Sequence, residues 1–317
     1  MKNIIFYVFL AAALLATVMG WGDACILLIA GIFVALTVGN PVSSLTANGA
    51  KYLLQASVVL MGFKYDIHSM LAVGSQGVFL SIFSIALVLT CGTLFSRWLK
   101  VRYEVGALVS CGTSICGGSA IAAIGGVMKS DNKDMAVSLG TIFLLNAVAL
   151  LIFPVMGHSL HMSEQIFGYW SGIAIQDTSS VAGAAQSYGG ATLAYAIPVK
   201  LARALWIIPL AMCVGWFHRR RSESLGAEAG SFSIPWFIFL FIIASAVKTW
   251  IPSGEHLYTH GADLGVKALV FTLYLIGLGM SYHALKSVGW RALVLGVLLW
   301  IVLGISSLIW LTVSPPA

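Results

Sequence analysis

The chain has 317 residues, 59% of them hydrophobic and 9% charged, with a net charge of +6; its mean hydropathy is +0.96. A soluble domain carries about 25% charged residues, so a soluble enzyme is excluded. So is a nucleic-acid binder, because the basic residues sit in short loops between apolar runs and form no solvated face.

These numbers predict one polytopic membrane domain over 1–317, all-α, with the lipid bilayer as its surroundings. The five cysteines (Cys25, Cys91, Cys111, Cys116, Cys213) are odd in number and show no CxxC spacing. They point to buried, inert thiols and not to a disulfide framework or a zinc site. There is no GxxxxGK[ST], no HExxH and no nucleophile elbow, so no cofactor and no enzymatic activity are expected.

A spanning helix needs about 20 apolar residues. Spans are predicted at 3–19, 24–40, 48–63, 76–96, 105–128, 135–156, 165–187, 193–217, 233–250, 262–281 and 291–312, about 11 in all. The first resembles a secretory leader, but no cleavage site follows at Gly20-Trp21-Gly22-Asp23. It is expected to stay as an extra N-terminal helix over 1–23. Residues 24–156 then make a first half and 165–312 a second.

Loop charge sets orientation. One set of loops and helix ends holds Lys2, Lys51, Arg97, Lys100, Arg102, Arg219, Arg220, Arg221, Lys286 and Arg291; the other holds Lys64, Lys129 and Lys133. The N-terminus is therefore expected in the cytoplasm and the C-terminus outside.

Two internal likenesses occur. Residues 58–70, VVLMGFKYDIHSM, align with 274–288, YLIGLGMSYHALKSV, pairing Gly62 and Tyr65 with Gly279 and Tyr282. The helices that lead into them end at Pro41 and Pro252. The two sets lie seven predicted helices apart, so they are inverted, as in many transporters. The second likeness pairs Thr113–Ala120 with Thr178–Ala185. With every segment spanning, this pair has one orientation and conflicts with an inverted duplication, unless one segment is re-entrant.

Residues 110–126, SCGTSICGGSAIAAIGG, place five Gly, three Ser, one Thr and two Cys in an otherwise apolar chain. Close helix packing would explain them through the row Gly112, Cys116, Ala120. A discontinuous helix would explain them too, with its backbone N–H groups and the hydroxyls of Thr113, Ser114 and Ser119 open to an anion. The stretch 172–190, GIAIQDTSSVAGAAQSYGG, has the same character and adds Gln176 and Asp177. Asp177 would cap a helix that restarts there, or it would be a buried, paired acid.

In 192–217, TLAYAIPVKLARALWIIPLAMCVGWF, Lys200 and Arg203 share one face, and Arg203 falls near the bilayer midplane. Pro198 and Pro209 flank them and suit a bend. A salt bridge to Asp177 is one expectation. It leaves a surplus cation, for which a transported anion is a partner.

Together, GTSICGGSAIAA (112–123), Gln176-Asp177 with the small residues after it, and KLARALWIIP (200–209) resemble the YeiH-type bacterial inner-membrane family, commonly labelled sulfate exporters. The likeness runs from about residue 24 to 312. It implies relationship to the inverted-repeat bile-acid symporters and cation/proton antiporters: two bundles, broken helices meeting at the midplane, and alternating access. Gln176-Asp177 stands where that family has His-Glu, and Lys64 where it has Arg.

The expected function is secondary active transport of a small anion, sulfate or a related oxyanion, outward across a bacterial inner membrane. Thr113, Ser114, Gly117, Gly118, Ser119, Lys200 and Arg203 would bind it. Asp177 and Gln176 would couple transport to H⁺ or Na⁺. The alternatives are cation/proton antiport and a non-transporting scaffold or sensor. The small-residue rows suit contacts within one chain or between the copies of a homo-oligomer.

Overall fold

The computed structural model describes the backbone of residues 2–22, 24–222, 236–279 and 289–316. Its helices are α1 (Lys2–Val18), α2 (Ala24–Thr37), α3 (Ser43–Gly62), α4 (Ile67–Trp98), α5 (Tyr103–Ser114), α6 (Gly118–Met128) and α7 (Asn132–Ser159). They continue as α8 (Glu164–Ala174), α9 (Thr178–Tyr188), α10 (Leu193–Ala204), α11 (Ile207–Ser222), α12 (Trp236–Trp250), α13 (Glu255–Gly279) and α14 (Trp290–Val313). Among the described residues, five helical stretches are long and apolar enough to cross a bilayer: Ile67–Trp98, Lys133–Ser159, Leu193–Gly215, Pro252–Gly279 and Trp290–Val313. The molecule is an all-α polytopic membrane protein.

Two predicted spans do not run straight through. The stretch 105–128 breaks between α5 and α6, and 165–187 breaks between α8 and α9. Each leg has 11 or 12 residues, or about 17 Å, roughly half of a hydrocarbon core of about 30 Å.

In both cases the second leg folds back along the first. A Cβ on Gly112 would lie 2.9 Å from Ile121, a pair that a straight helix would hold about 13 Å apart. Arg102, just before α5, pairs at 2.9 Å with Asp134 in the first turn of α7. The start of α5 and the end of α6 are therefore on one side. In the second hairpin Tyr188, at the end of α9, stacks on Phe167 of α8 at 3.8 Å and donates its hydroxyl to the Met162 carbonyl at 2.5 Å.

The two hairpins start from opposite ends of α7, whose 28 residues span about 42 Å. This geometry corrects the expectation that 105–128 and 165–187 are spans. It also removes the orientation conflict of the second internal likeness, and it shifts that likeness in register. Thr113 precedes its break, whereas Thr178 follows one; aligning the breaks pairs Ile115 with Ile175 and Ser119 with Ser179.

Lys129 and Lys133 change sides as well, joining Arg97, Lys100 and Arg102. Arg291, at the start of α14, donates to the Lys100 carbonyl at this same end. At the far end of α4, Lys248 donates to the Lys64 carbonyl. In the first likeness, Met280–Val288 lie outside the described residues, as do the side chains of Arg219, Arg220 and Arg221.

The helices sort into two bundles. In one, α13 packs on α2 and α3, and α3 on α12. Gly31 and Gly277 face each other there; a Cβ on either would strike the other helix's backbone, so α2 and α13 cross in direct contact. The other bundle gathers α4, both hairpins, α7, α10, α11 and α14. The bundles meet where α9 touches α2 and α13 and where α4 touches α12.

Between α10 and α11 the helix bends at Leu205-Trp206. Pro209 has no N–H for the Leu205 carbonyl, which accepts instead from Ile208 at 3.2 Å.

Candidate functional site where the hairpin tips meet

Both breaks are local consequences of sequence. At the first, Gly117 adopts φ +61° and ψ −118°, a conformation that suits only glycine. Its N–H closes the end of α5 on the Gly112 carbonyl at 2.8 Å, a Schellman-type bond. At the second, Asp177 is extended and its Oδ2 caps α9, accepting from Ser180 N at 3.1 Å, from Ser180 Oγ at 3.2 Å and from Ser179 Oγ.

The tips touch. A Cβ on Gly117 would lie 3.5 Å from the Gln176 carbonyl oxygen and 3.1 Å from Ile142 of α7. One turn along α7, Asn146 Oδ1 accepts from the backbone N–H groups of Gln176 at 3.1 Å and Asp177 at 3.2 Å. Asn146 lies near the middle of α7, so both tips are held at mid-depth.

Lys200 and Arg203 of α10 close the junction from the other side, each 0% exposed. Lys200 Nζ donates to the Ile175 carbonyl at 2.6 Å and the Ile115 carbonyl at 3.1 Å, joining the two tips. Arg203 Nε donates to the Ser114 carbonyl at 2.8 Å, Nη2 to that same oxygen, and Nη1 to Ser84 Oγ of α4 at 3.2 Å. The two cations thus cap the negative C-terminal ends of α5 and α8.

The expected salt bridge from either residue to Asp177 does not form. Among the described residues the one ion pair is Arg102–Asp134. Asp177 still lies within electrostatic range of Lys200. With the two helix N-termini and two helix C-termini offsetting one another, the junction still sets two buried cations against one carboxylate.

Four buried polar atoms at the junction have no hydrogen-bond partner: Thr113 Oγ1, Asn146 Nδ2, and Oε1 and Nε2 of Gln176. Thr113, Ser114, Gly117, Gln176, Asp177, Lys200 and Arg203 come together here. Gly118 instead faces Phe143 and Leu139 of α7, and Ser119 is exposed. Ser84 and Asn146 were not singled out from sequence, although a lone Asn inside the apolar run 135–156 was a visible signal.

A separate cavity of about 670 Å³ opens at the Lys64 end. It is lined by Lys64, Gln186 and Gly190, and by His260, Asp263 and Lys267 of α13. It lies beyond the far end of α9 from Asp177.

The family described as conserved hypothetical protein 698 matches residues 4–296. A UPF0324 membrane protein of Bacteroides thetaiotaomicron is 42% identical over 290 residues, 91% of this chain and 86% of the relative. One from Bdellovibrio bacteriovorus is 42% identical over 275 residues, 87% and 84% of the two chains. One from Vibrio vulnificus is 39% identical over 302 residues, 95% and 96%. No solved structure matches the chain. These relatives are bacterial and nearly co-extensive with it, and a helical polytopic chain suits the bacterial inner membrane; the chain belongs to the UPF0324 family of membrane proteins.

Proposed function

We propose that the protein is a secondary transporter of a small oxyanion, with its binding site at the meeting point of the two hairpins. The observation that carries this is the pair Lys200 and Arg203, fully buried with no acidic partner among the described residues. Buried cations need compensation. Their contacts with carbonyls and with the Ser84 hydroxyl leave one N–H of Lys200 and two of Arg203 uncommitted, and an oxyanion can take them. Thr113 would supply a free hydroxyl, and the first turn of α6 at Gly118 and Ser119 would supply backbone N–H donors, while Gln176 with Asp177 would couple transport to H⁺ or Na⁺. The YeiH-type resemblance favours sulfate or a related anion, moved outward.

In this proposal the hairpins are re-entrant. Nine segments cross: α1, α2, α3, α4, α7, α10 with α11, α12, α13 and α14. Residues 24–156 and 165–312 would be the two halves of one transporter domain, and the two opposed hairpins whose tips meet at mid-depth support an inverted relation between the hairpin units. With Lys129 and Lys133 on the Lys100 side, Lys64 remains alone among the counted loop residues on the other. The loop charge puts the Lys100 end and the N-terminus in the cytoplasm, and the C-terminus outside. Motion of the hairpin bundle against the α2, α3, α12, α13 bundle provides alternating access.

The test is counter-exchange in proteoliposomes with labelled sulfate and labelled phosphate. Wild type exchanges at least one of them, and Lys200→Gln and Arg203→Gln each lose most of that exchange while remaining folded. Full exchange in both variants overturns the site. Cation/proton antiport is the second reading, favoured by the Asp177 carboxylate at the break. Sodium-dependent proton flux without any anion would replace the proposal with it.

A further inference from the structure

We infer that the junction selects an oxyanion that carries a hydrogen of its own, such as hydrogen phosphate or hydrogen sulfite, over one with none, such as sulfate. This rests on the small-oxyanion reading above and, within it, sets aside the sulfate that the resemblance favours.

Asp177 spends only one of its oxygens on structure. Oδ2 takes the three bonds that cap α9, whereas Oδ1 has no hydrogen bond among the described residues. Beside it, Gln176 is 0% exposed, with both its amide oxygen and its amide nitrogen unpartnered. Thr113, also 0% exposed, and Asn146, 2% exposed, add an unpartnered hydroxyl and an unpartnered Nδ2.

Donors are supplied by Lys200, Arg203, Asn146 Nδ2 and Gln176 Nε2, and they suit the oxygens of any oxyanion. Asp177 Oδ1 and Gln176 Oε1 are different. They can only accept; Gln176 Oε1 is buried without a donor, and Oδ1 belongs to the half-buried Asp177, so a ligand that donates suits both.

Sulfate at neutral pH has no hydrogen. It would set a bare oxygen against the Asp177 carboxylate, with like-charge repulsion, and leave the buried Gln176 Oε1 unpaired. A ligand O–H pointed at Oδ1 replaces that repulsion with a charge-assisted hydrogen bond. A site built around a ligand hydroxyl discriminates strongly against the analogue that lacks it. The ligand would then bring its proton with it.

Thermal stabilisation of the purified full-length protein at neutral pH tests this without requiring transport. Inorganic phosphate is expected to raise the melting temperature of wild type, and sulfate to need about tenfold more or greater for the same rise. In Asp177→Asn the acceptor becomes an amide that can donate, and the preference is expected to shift toward sulfate by about tenfold. Because Asp177 also caps α9, Asp177→Ser serves as a second variant that keeps a capping oxygen and removes the charge.

Equal or better binding of sulfate to wild type overturns the inference and leaves the anion reading standing. So does an unchanged preference in both variants. If neither anion stabilises wild type and neither exchanges in proteoliposomes, the anion reading falls and the inference with it.

Discussion

Gly117 is the residue on which the first hairpin turns. At φ +61° and ψ −118° it holds a conformation that costs a residue with a Cβ about 1–3 kcal/mol. The Cβ would also press on Ile142 at 3.1 Å. Gly117→Ala is therefore expected to destabilise the protein by about that amount, read as a lower melting temperature. Arg203 acts at the same scale by a different route. Removing it leaves the Ser114 carbonyl buried without its donor, at a cost of about 1–3 kcal/mol. Arg203→Lys is expected to recover only part of this, because an ammonium cannot reach Ser114 and Ser84 together in the guanidinium's fixed geometry. Outside the spans, the Ser69 N–H foremost, with Thr249 and His68, holds the Asp66 carboxyl below its ordinary range. With the folded value depressed, this cap's contribution is complete above the ordinary aspartate range and is lost only as pH falls through the folded value. Neutral-to-mildly-acidic titration should thus leave the start of α4 intact, as hydrogen exchange at His68 and Ser69 would register.

At the scale of elements, a break and a reversal are separate properties. The breaks at 115–117 and 175–177 follow from glycine, a capping acid and runs of small residues, all of which are visible along the chain. The reversals are fixed by Arg102 meeting Asp134 and by Tyr188 meeting Phe167 and Met162. Single cysteines test them directly. Lys129→Cys and Lys133→Cys are expected to label with an impermeant reagent from the same side as Lys100→Cys, and Gly190→Cys from the other side. Labelling of Lys129→Cys and Gly190→Cys from one common side would mean that the segments cross. The same hairpins explain the carbonyl contacts of α10. Helix C-termini at membrane depth leave carbonyls that water cannot reach, and Lys200 and Arg203 supply their donors.

For the whole molecule, the narrow contact of α9 with α2 and α13 is the surface across which the two bundles would move. The cavity at the Lys64 end lies beside that contact, with Lys64 and Lys267 outnumbering Asp263. An anion approaching from this end meets a positive field. Leu264 lines the cavity and is 59% exposed. Leu264→Cys is expected to react faster with an anionic than with a cationic impermeant thiol reagent, and the ratio should fall severalfold when Lys64→Gln is added. An unchanged ratio would show that the cavity carries no such field.

The membrane class, the small-residue stretches, the capping role of Asp177 and the burial of Lys200 and Arg203 were legible in the sequence, because hydropathy, helix breaking and the cost of a charge in an apolar run are local properties. The direction of the chain after each break was not. Continuing and turning back satisfy the same local backbone, and the choice is made by contacts such as Arg102–Asp134. The partners of the two cations were likewise decided only in three dimensions. By charge alone Asp177 was the natural counter-ion, but the folded chain gives Asp177 to the N-terminus of α9 and gives Lys200 and Arg203 to the carbonyl ends of α5 and α8. Four half-helix ends converge at one depth, and each needs the group of opposite polarity nearest to it.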